Sequence, residues 1–250
     1  MIEIEDSGGI RTLKLARPPV NALDSVLLSR LDAELAAAPA AGVRGIVLTG
    51  AAGRFCAGLD VGELFKLDEA GLARFLGIFF GCLTRLAESP IPIAAAINGH
   101  SPAGGAVLAL FCDRRVMAAG EYRIGLNEVQ VGLYPGAMIH KVLARAVGAR
   151  AAAELLPSGA LIDAQAALAV GFVDELAPLE EVEVRARAWL ARMLALPPHA
   201  YALTRSLVRA DLIAAIRSMG AEEIAAAASL WSGPETRASL RALIAKLSQR

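Results

Sequence analysis

Apolar residues fall along this chain in short blocks whose spacing switches between strand-like and helical. Residues 2–16 predict two short strands around a Ser7-Gly8-Gly9 turn, with Ile10, Leu13 and Leu15 on the apolar side. Pro18-Pro19 ends the second strand. Val26, Leu27, Leu31 and Leu35 then recur at helical spacing behind a candidate N-cap, Asp24, which predicts a helix from residue 25 to about 38. The run GIVLTG at 45–50 is apolar throughout and bounded by glycines, as a buried strand requires. After a loop at 51–60, Leu72, Phe75, Leu76, Phe79 and Leu83 share one face of a helical region that is interrupted at Asp68 and ends near Glu88. Pro90 and Pro92 lead into another buried strand, residues 93–97.

The same order then returns: strand, glycine-containing loop, short helix at about 104–110, strand around 115–118, loop. A repeated strand–strand–helix order without sequence repeat predicts a layered or coiled α/β core, and argues against the eight regular units of a (β/α)₈ barrel. Residues 163–170 predict a short helix closed by Gly171, followed by a strand FVDEL at 172–176. Beyond Leu179 the pattern is helical, with breaks at Pro197-Pro198 and Gly233-Pro234. A composition change near 190 divides the chain into a core, 1–190, and a helical region, 191–250. The latter must bury Leu207, Ile213, Ile216, Met219, Ile224, Leu230 and Trp231, so it is expected to pack on a neighbour.

Composition narrows the classes. A chain of 250 residues that is 56% hydrophobic can build a large core, yet no uninterrupted apolar run reaches the roughly 18 residues that span a bilayer. Basic and acidic residues number 25 each, without a basic stripe, which argues against nucleic acid as a partner. Cys56, Cys82 and Cys112 form no CxxC pair and, with His100, His140 and His199, show no zinc-ligand spacing. Reduced thiols and a strand-like start without an export signal lead us to expect a cytoplasmic protein. The abundance of Ala and Arg suggests a GC-rich bacterial genome.

Candidate chemistry concentrates in residues 97–135. The pairs Gly53/Gly58 and Gly99/Gly104 have P-loop spacing but lack the following Lys and Ser/Thr, and neither loop is G-x-G-x-x-G. GHSPA at 99–103 resembles a nucleophile elbow, but the residue after the serine is Pro102, which has no N–H to offer an oxyanion. What remains is two loops that could each deliver a backbone N–H to one site, with Gly104 and Gly105 opening a helix. Taken alone, such glycines more often serve only tight turns and close packing.

Together, FCAGLD (55–60), INGHSPAGGAVLALFCDRRV (97–116) and GLNEVQVGLYPG (125–136) resemble the enoyl-CoA hydratase/isomerase, or crotonase, superfamily. RPPVNALD, LPSGALIDAQAALAVGFVDELAP and ALPPHAYALTRSLV extend the similarity over the whole chain, and the isomerase branch is the most similar. The resemblance implies an α/β spiral of β-β-α units, a C-terminal helical region that forms trimers or pairs of trimers, and an acyl-CoA thioester substrate, with no separate cofactor and no metal. It implies that Leu59 and Gly104 donate the two oxyanion N–H groups. Hydratases of this family carry one glutamate three residues after the oxyanion glycine, here Val107, and a second at a position that is Glu128 here. A lone Glu128 in a pocket lined by Val107, Leu126 and Leu133 suits a 1,3-proton shift, which converts a 3-enoyl into a 2-enoyl thioester; the alternatives are hydration or thioester hydrolysis on the same oxyanion hole, or acyl-CoA binding without catalysis. The apolar setting should raise its pKa. Ala57, Asp60 and Gly105 flank the donors, with Asp60 read as fixing the loop. Asn127 either orients Glu128 or holds a turn. The acyl chain is expected against the helix carrying Leu72, Phe75, Phe79 and Phe80. The coenzyme A arm is expected near Asn21 and Ala22, and its phosphates near Arg54 and basic residues of a neighbouring subunit's tail, such as Lys246.

Overall fold

In a computed structural model, which describes residues 1–247, these blocks become two sheets wrapped by helices. β1 (Ile2–Ser7) and β2 (Ile10–Leu15) form an antiparallel hairpin. The first sheet continues from β2 through β3 (Gly45–Thr49), β5 (Ile93–Ile97), β7 (Arg114–Ala118) and β10 (Glu175–Ala177), all parallel. A second sheet takes the short strand that follows each of three of these: β4 (Gly53–Arg54), β6 (Gly99–Pro102) and β8 (Arg123–Gly125), closed antiparallel by β9 (Ile162–Asp163). Helices then return the chain: α2 (Val61–Lys66) and α3 (Glu69–Glu88) after β4, α4 (Gly104–Leu110) after β6, and α5 (Gly136–Ser158) after β8. The expected strand–strand–helix spiral is present, with β4 and β6 running through stretches read from sequence as loops.

Aspartates start four helices. Asp24 accepts from the Leu27 N–H at the head of α1 (Ser25–Ala37), Asp60 caps α2, Asp68 caps α3, and Asp163 caps α6 (Ala164–Ala169). Each satisfies an N–H that the first turn leaves without an intrahelical partner. In β5, IAAAI, every residue is buried because both faces are covered. Ala94 and Ala96, joined by Val47 and Ala118, form a shallow floor for α7 (Val182–Leu194), which sets Leu190 on it, while Ile93, Ala95 and Ile97 face the main core. A side chain at Gly45 would stand 3.3 Å from Leu190, so small residues set how closely α7 approaches the sheet.

The remaining helices are α8 (Pro198–Val208), α9 (Ala210–Arg217), α10 (Ala221–Ser232) and α11 (Pro234–Leu247). They fold back on their own chain, α9 and α10 against α3, and α11 against α2. Ile216 and Trp231 are buried there, whereas Leu207 and Leu230 are exposed on the single chain. The boundary expected near 190 falls within α7. The predicted strand at 172–176 shrinks to β10, because the Phe172 and Val173 N–H groups cap α6 by donating to the Ala167 carbonyl and so cannot enter the sheet. By length and composition α3 could span a membrane, but ten of its residues are buried inside this fold, which makes it a core helix.

Candidate active site

The loop before α2 is fixed on every side of Leu59. The Gly58 N–H donates to Cys56 Sγ (3.4 Å), the Gly58 carbonyl accepts from Leu23 N (2.8 Å), and Asp60 N donates to the Leu23 carbonyl (2.9 Å). Asp60 also pairs with Arg17 at 2.6 Å. Asn21, at φ 55, accepts from Arg17 N (2.8 Å) and donates to the Phe55 carbonyl (3.1 Å). These bonds consume the neighbouring groups and leave the Leu59 N–H free.

The second loop turns at Ala103, whose φ of 47 and ψ of −122 lie where non-glycine residues are strained. Its N–H is anchored on the Gly125 carbonyl (2.8 Å), so α4 begins with the Gly104 N–H directed out of the turn. A Cβ at Gly105 would lie 2.4 Å from the Cys56 carbonyl oxygen, so only glycine lets the two loops touch. A Cβ at Gly104 would sit 3.3 Å from Leu59 N. The two N–H groups are therefore neighbours across the contact, and among the described residues neither has a protein acceptor.

Glu128 opens a 3₁₀ turn, Glu128–Val131, three residues after β8. The residue is 8% exposed, and its Oε2 has no hydrogen-bond partner among the described residues. Burial pushes its pKa up from 4.5 to about 7, because an apolar surround disfavours the charged form. Asn127 makes no side-chain capping bond and its buried Oδ1 is likewise unpartnered among the described residues, while its backbone carbonyl accepts from Gln130 N (3.0 Å) within the 3₁₀ turn.

Leu59, Gly104 and Glu128 line one apolar cavity of about 100 Å³, together with Ala57, Phe79, Val107 and Leu133. Glu128 is the only acidic or basic side chain among the described residues of its wall. Other expected contacts lie elsewhere. Phe75, one helical turn before Phe79, is buried in the core behind the wall, as is Leu126. Gly105 is at the loop contact, Asp60 and Asn21 serve the loops, and Ala22 accepts from Arg17 through its carbonyl. Arg54 and Lys246 are exposed at the surface. Ser101, the serine of the elbow-like motif, is fully buried and does not reach the cavity.

Sequence reasoning missed Val61, Val131, Pro135, Ile139, Trp231 and Leu243 on the wall. Val131 follows Glu128 by three residues, one turn of the 3₁₀ segment, and that spacing could have signalled it. Nothing local marks Trp231 or Leu243, which reach the site only because the tail folds over α2 and α3.

The profile of the enoyl-CoA hydratase/isomerase family matches residues 5–246. Mouse (Mus musculus) enoyl-CoA delta isomerase 1, mitochondrial, is 34% identical over 259 residues, covering 100% of this chain and 88% of the mouse protein. A putative enoyl-CoA hydratase from Thermus thermophilus is 37% identical over 211 residues, covering 82% of this chain and 79% of that protein. The crystal structure of human mitochondrial delta3-delta2-enoyl-CoA isomerase superposes with a TM-score of 0.95 at 32% identity, covering 99% of this chain and 98% of the human one. With a crotonase fold along its length and a family profile spanning nearly all of it, the chain belongs to the enoyl-CoA hydratase/isomerase family.

Proposed function

We propose that this enzyme is an enoyl-CoA isomerase that moves a double bond from position 3 to position 2 of an acyl-CoA thioester. The observation that carries this reading is the solitary carboxylate, Glu128, on a cavity wall that also holds Val107, the position to which the resemblance assigns a hydratase's other glutamate. The thioester oxygen sits between the Leu59 and Gly104 N–H groups. Glu128 takes a proton from C2, and the electron pair moves into the thioester as a dienolate whose oxygen accepts both N–H bonds. The protonated Glu128 then delivers its proton to C4, the electron pair returns from oxygen, and the conjugated 2-enoyl thioester results. One base reaches both carbons because they belong to one allylic system, and no water is needed. Fixed amide donors stabilise the oxyanion without reorganising, and each is typically worth about 2.7–4 kcal/mol.

Ala22, Arg54 and Lys246 are proposed contacts for the coenzyme A arm, outside the cavity wall, whereas Asn21, 2% exposed and bonded to Arg17 N and the Phe55 carbonyl, holds the loop. The assembly proposed is a trimer of this chain. Glu128→Gln should bind acyl-CoA normally but convert 3-enoyl-CoA about 10²–10⁴-fold more slowly. Full turnover by that variant would show that the base lies elsewhere.

A further inference from the structure

Trp231 stands on α10, far along the chain from Glu128, and the proton shift makes no use of it. Its indole is 7% exposed and lines two hollows. One is the catalytic cavity. The other is a surface groove of about 460 Å³, bounded by Val129, Tyr134, Leu230 and Pro234. Leu133, Pro135 and Trp231 belong to both, whereas Glu128, Leu59 and Gly104 line only the first. The partition between them is thus the 133–135 loop plus one large side chain.

That side chain is held in place. Its Nε1–H donates to the Tyr134 carbonyl at 3.1 Å, within the same loop. Five residues on, Thr236 Oγ1 donates to the Gly132 carbonyl at 2.6 Å. Gly132, at φ 73, is approached so closely by α11 that a Cβ there would lie 2.7 Å from Ser239. The α10–α11 corner therefore clamps the loop on both sides of the indole, and the partition is a fixed wall.

We propose that Trp231 closes the acyl site and sets the upper limit of chain length, so that the enzyme takes short- and medium-chain thioesters. Replacing the indole by a small side chain joins cavity and groove and admits long chains. The double-bond position in the substrate rests on the isomerase reading, but the length limit does not. An apolar pocket discriminates about 10–200-fold for one methylene too many, so a closed wall should give a sharp cutoff.

The test uses the full chain, Trp231→Ala and Trp231→Phe. It measures kcat/KM for 3-enoyl-CoA of six, ten and sixteen carbons, and Kd for saturated acyl-CoA of the same lengths. The unmodified protein should disfavour sixteen carbons against six by tenfold or more in both. Trp231→Ala should raise the sixteen-to-six ratio at least tenfold. Trp231→Phe keeps most of the bulk without the N–H and should keep the original ratio. Should Trp231→Ala fail to fold, Trp231→Val carries the same expectation. A protein that binds sixteen carbons as well as six, or a small-side-chain variant with an unchanged ratio, overturns the proposal. If no 3-enoyl-CoA turns over but the binding ratios shift as stated, the wall stands and the isomerase reading falls.

Discussion

At the scale of single residues, Glu128 acts through what surrounds it. An apolar wall withholds water from its carboxylate and raises its pKa to about 7, so that near neutrality it can both take and return a proton. For the free enzyme, kcat/KM should therefore rise with pH through about 7 and level off above it. The same shift bears on stability. Since the folded pKa exceeds the unfolded one, the native state binds more protons between 4.5 and about 7, and stability is lost as pH rises across that window. At about 1.4 kcal/mol per pKa unit the loss is on the order of 3 kcal/mol. Glu128→Gln should accordingly melt at a higher temperature than the unmodified protein at pH 8 and lose that advantage near pH 4, as followed by circular dichroism. Equal melting temperatures at pH 8 would mean that the carboxylate is well solvated. Glu128, Leu59, Gly104 and Val107 were legible from sequence because each sits at a fixed offset inside a contiguous motif. Phe75 and Phe79 share a helical face, and periodicity alone cannot tell which of them meets a cavity and which meets the core.

Among the elements, the join between the core and the tail is made by charge. Asp113 takes both Arg205 and Arg209 at 2.9 Å, with all three side chains at most 9% exposed. Arg209 also donates to the Leu86 and Ala87 carbonyls at the end of α3 and to that of Phe111, while Arg205 reaches the Ser89 carbonyl. Burial lowers the Arg209 pKa, and the Asp113 charge opposes that fall. Asp113→Ala would leave two guanidinium groups buried without a carboxylate, a change that typically costs about 3–5 kcal/mol. Its urea midpoint should drop sharply, whereas Arg217→Ala, which breaks only the exposed pair with Glu88, should shift it by less than about 1 kcal/mol. Similar midpoints for the two variants would remove this join from the account. Elements with strong caps and a clean stripe, such as α1 and α3, could be read from sequence. α5 could not, because Gly148, at φ 80, kinks it and breaks its periodicity. Neither could β4, which is only two residues long.

Across the whole molecule, the spiral order was legible because each turn repeats the same strand–strand–helix pattern. The placement of the tail was not, since its partners on α2 and α3 lie about 150 residues earlier and leave no local signal. Leu203 and Leu207, one helical turn apart on α8, are 60% and 76% exposed, and Val208 beside them is 57% exposed. Such a patch fits the proposed trimer. Sedimentation equilibrium should give three times the 26.0 kDa chain mass, and Leu207→Lys should shift the species toward monomer. A monomeric unmodified protein would rule the trimer out. The proposed reaction turns on one carboxylate shifting a double bond without adding water. The most direct measurement offers the purified protein a 3-enoyl-CoA and a 2-enoyl-CoA separately and identifies the products. We predict that the first becomes the conjugated 2-enoyl thioester while the second stays unhydrated. Efficient formation of 3-hydroxyacyl-CoA from the second would contradict the account.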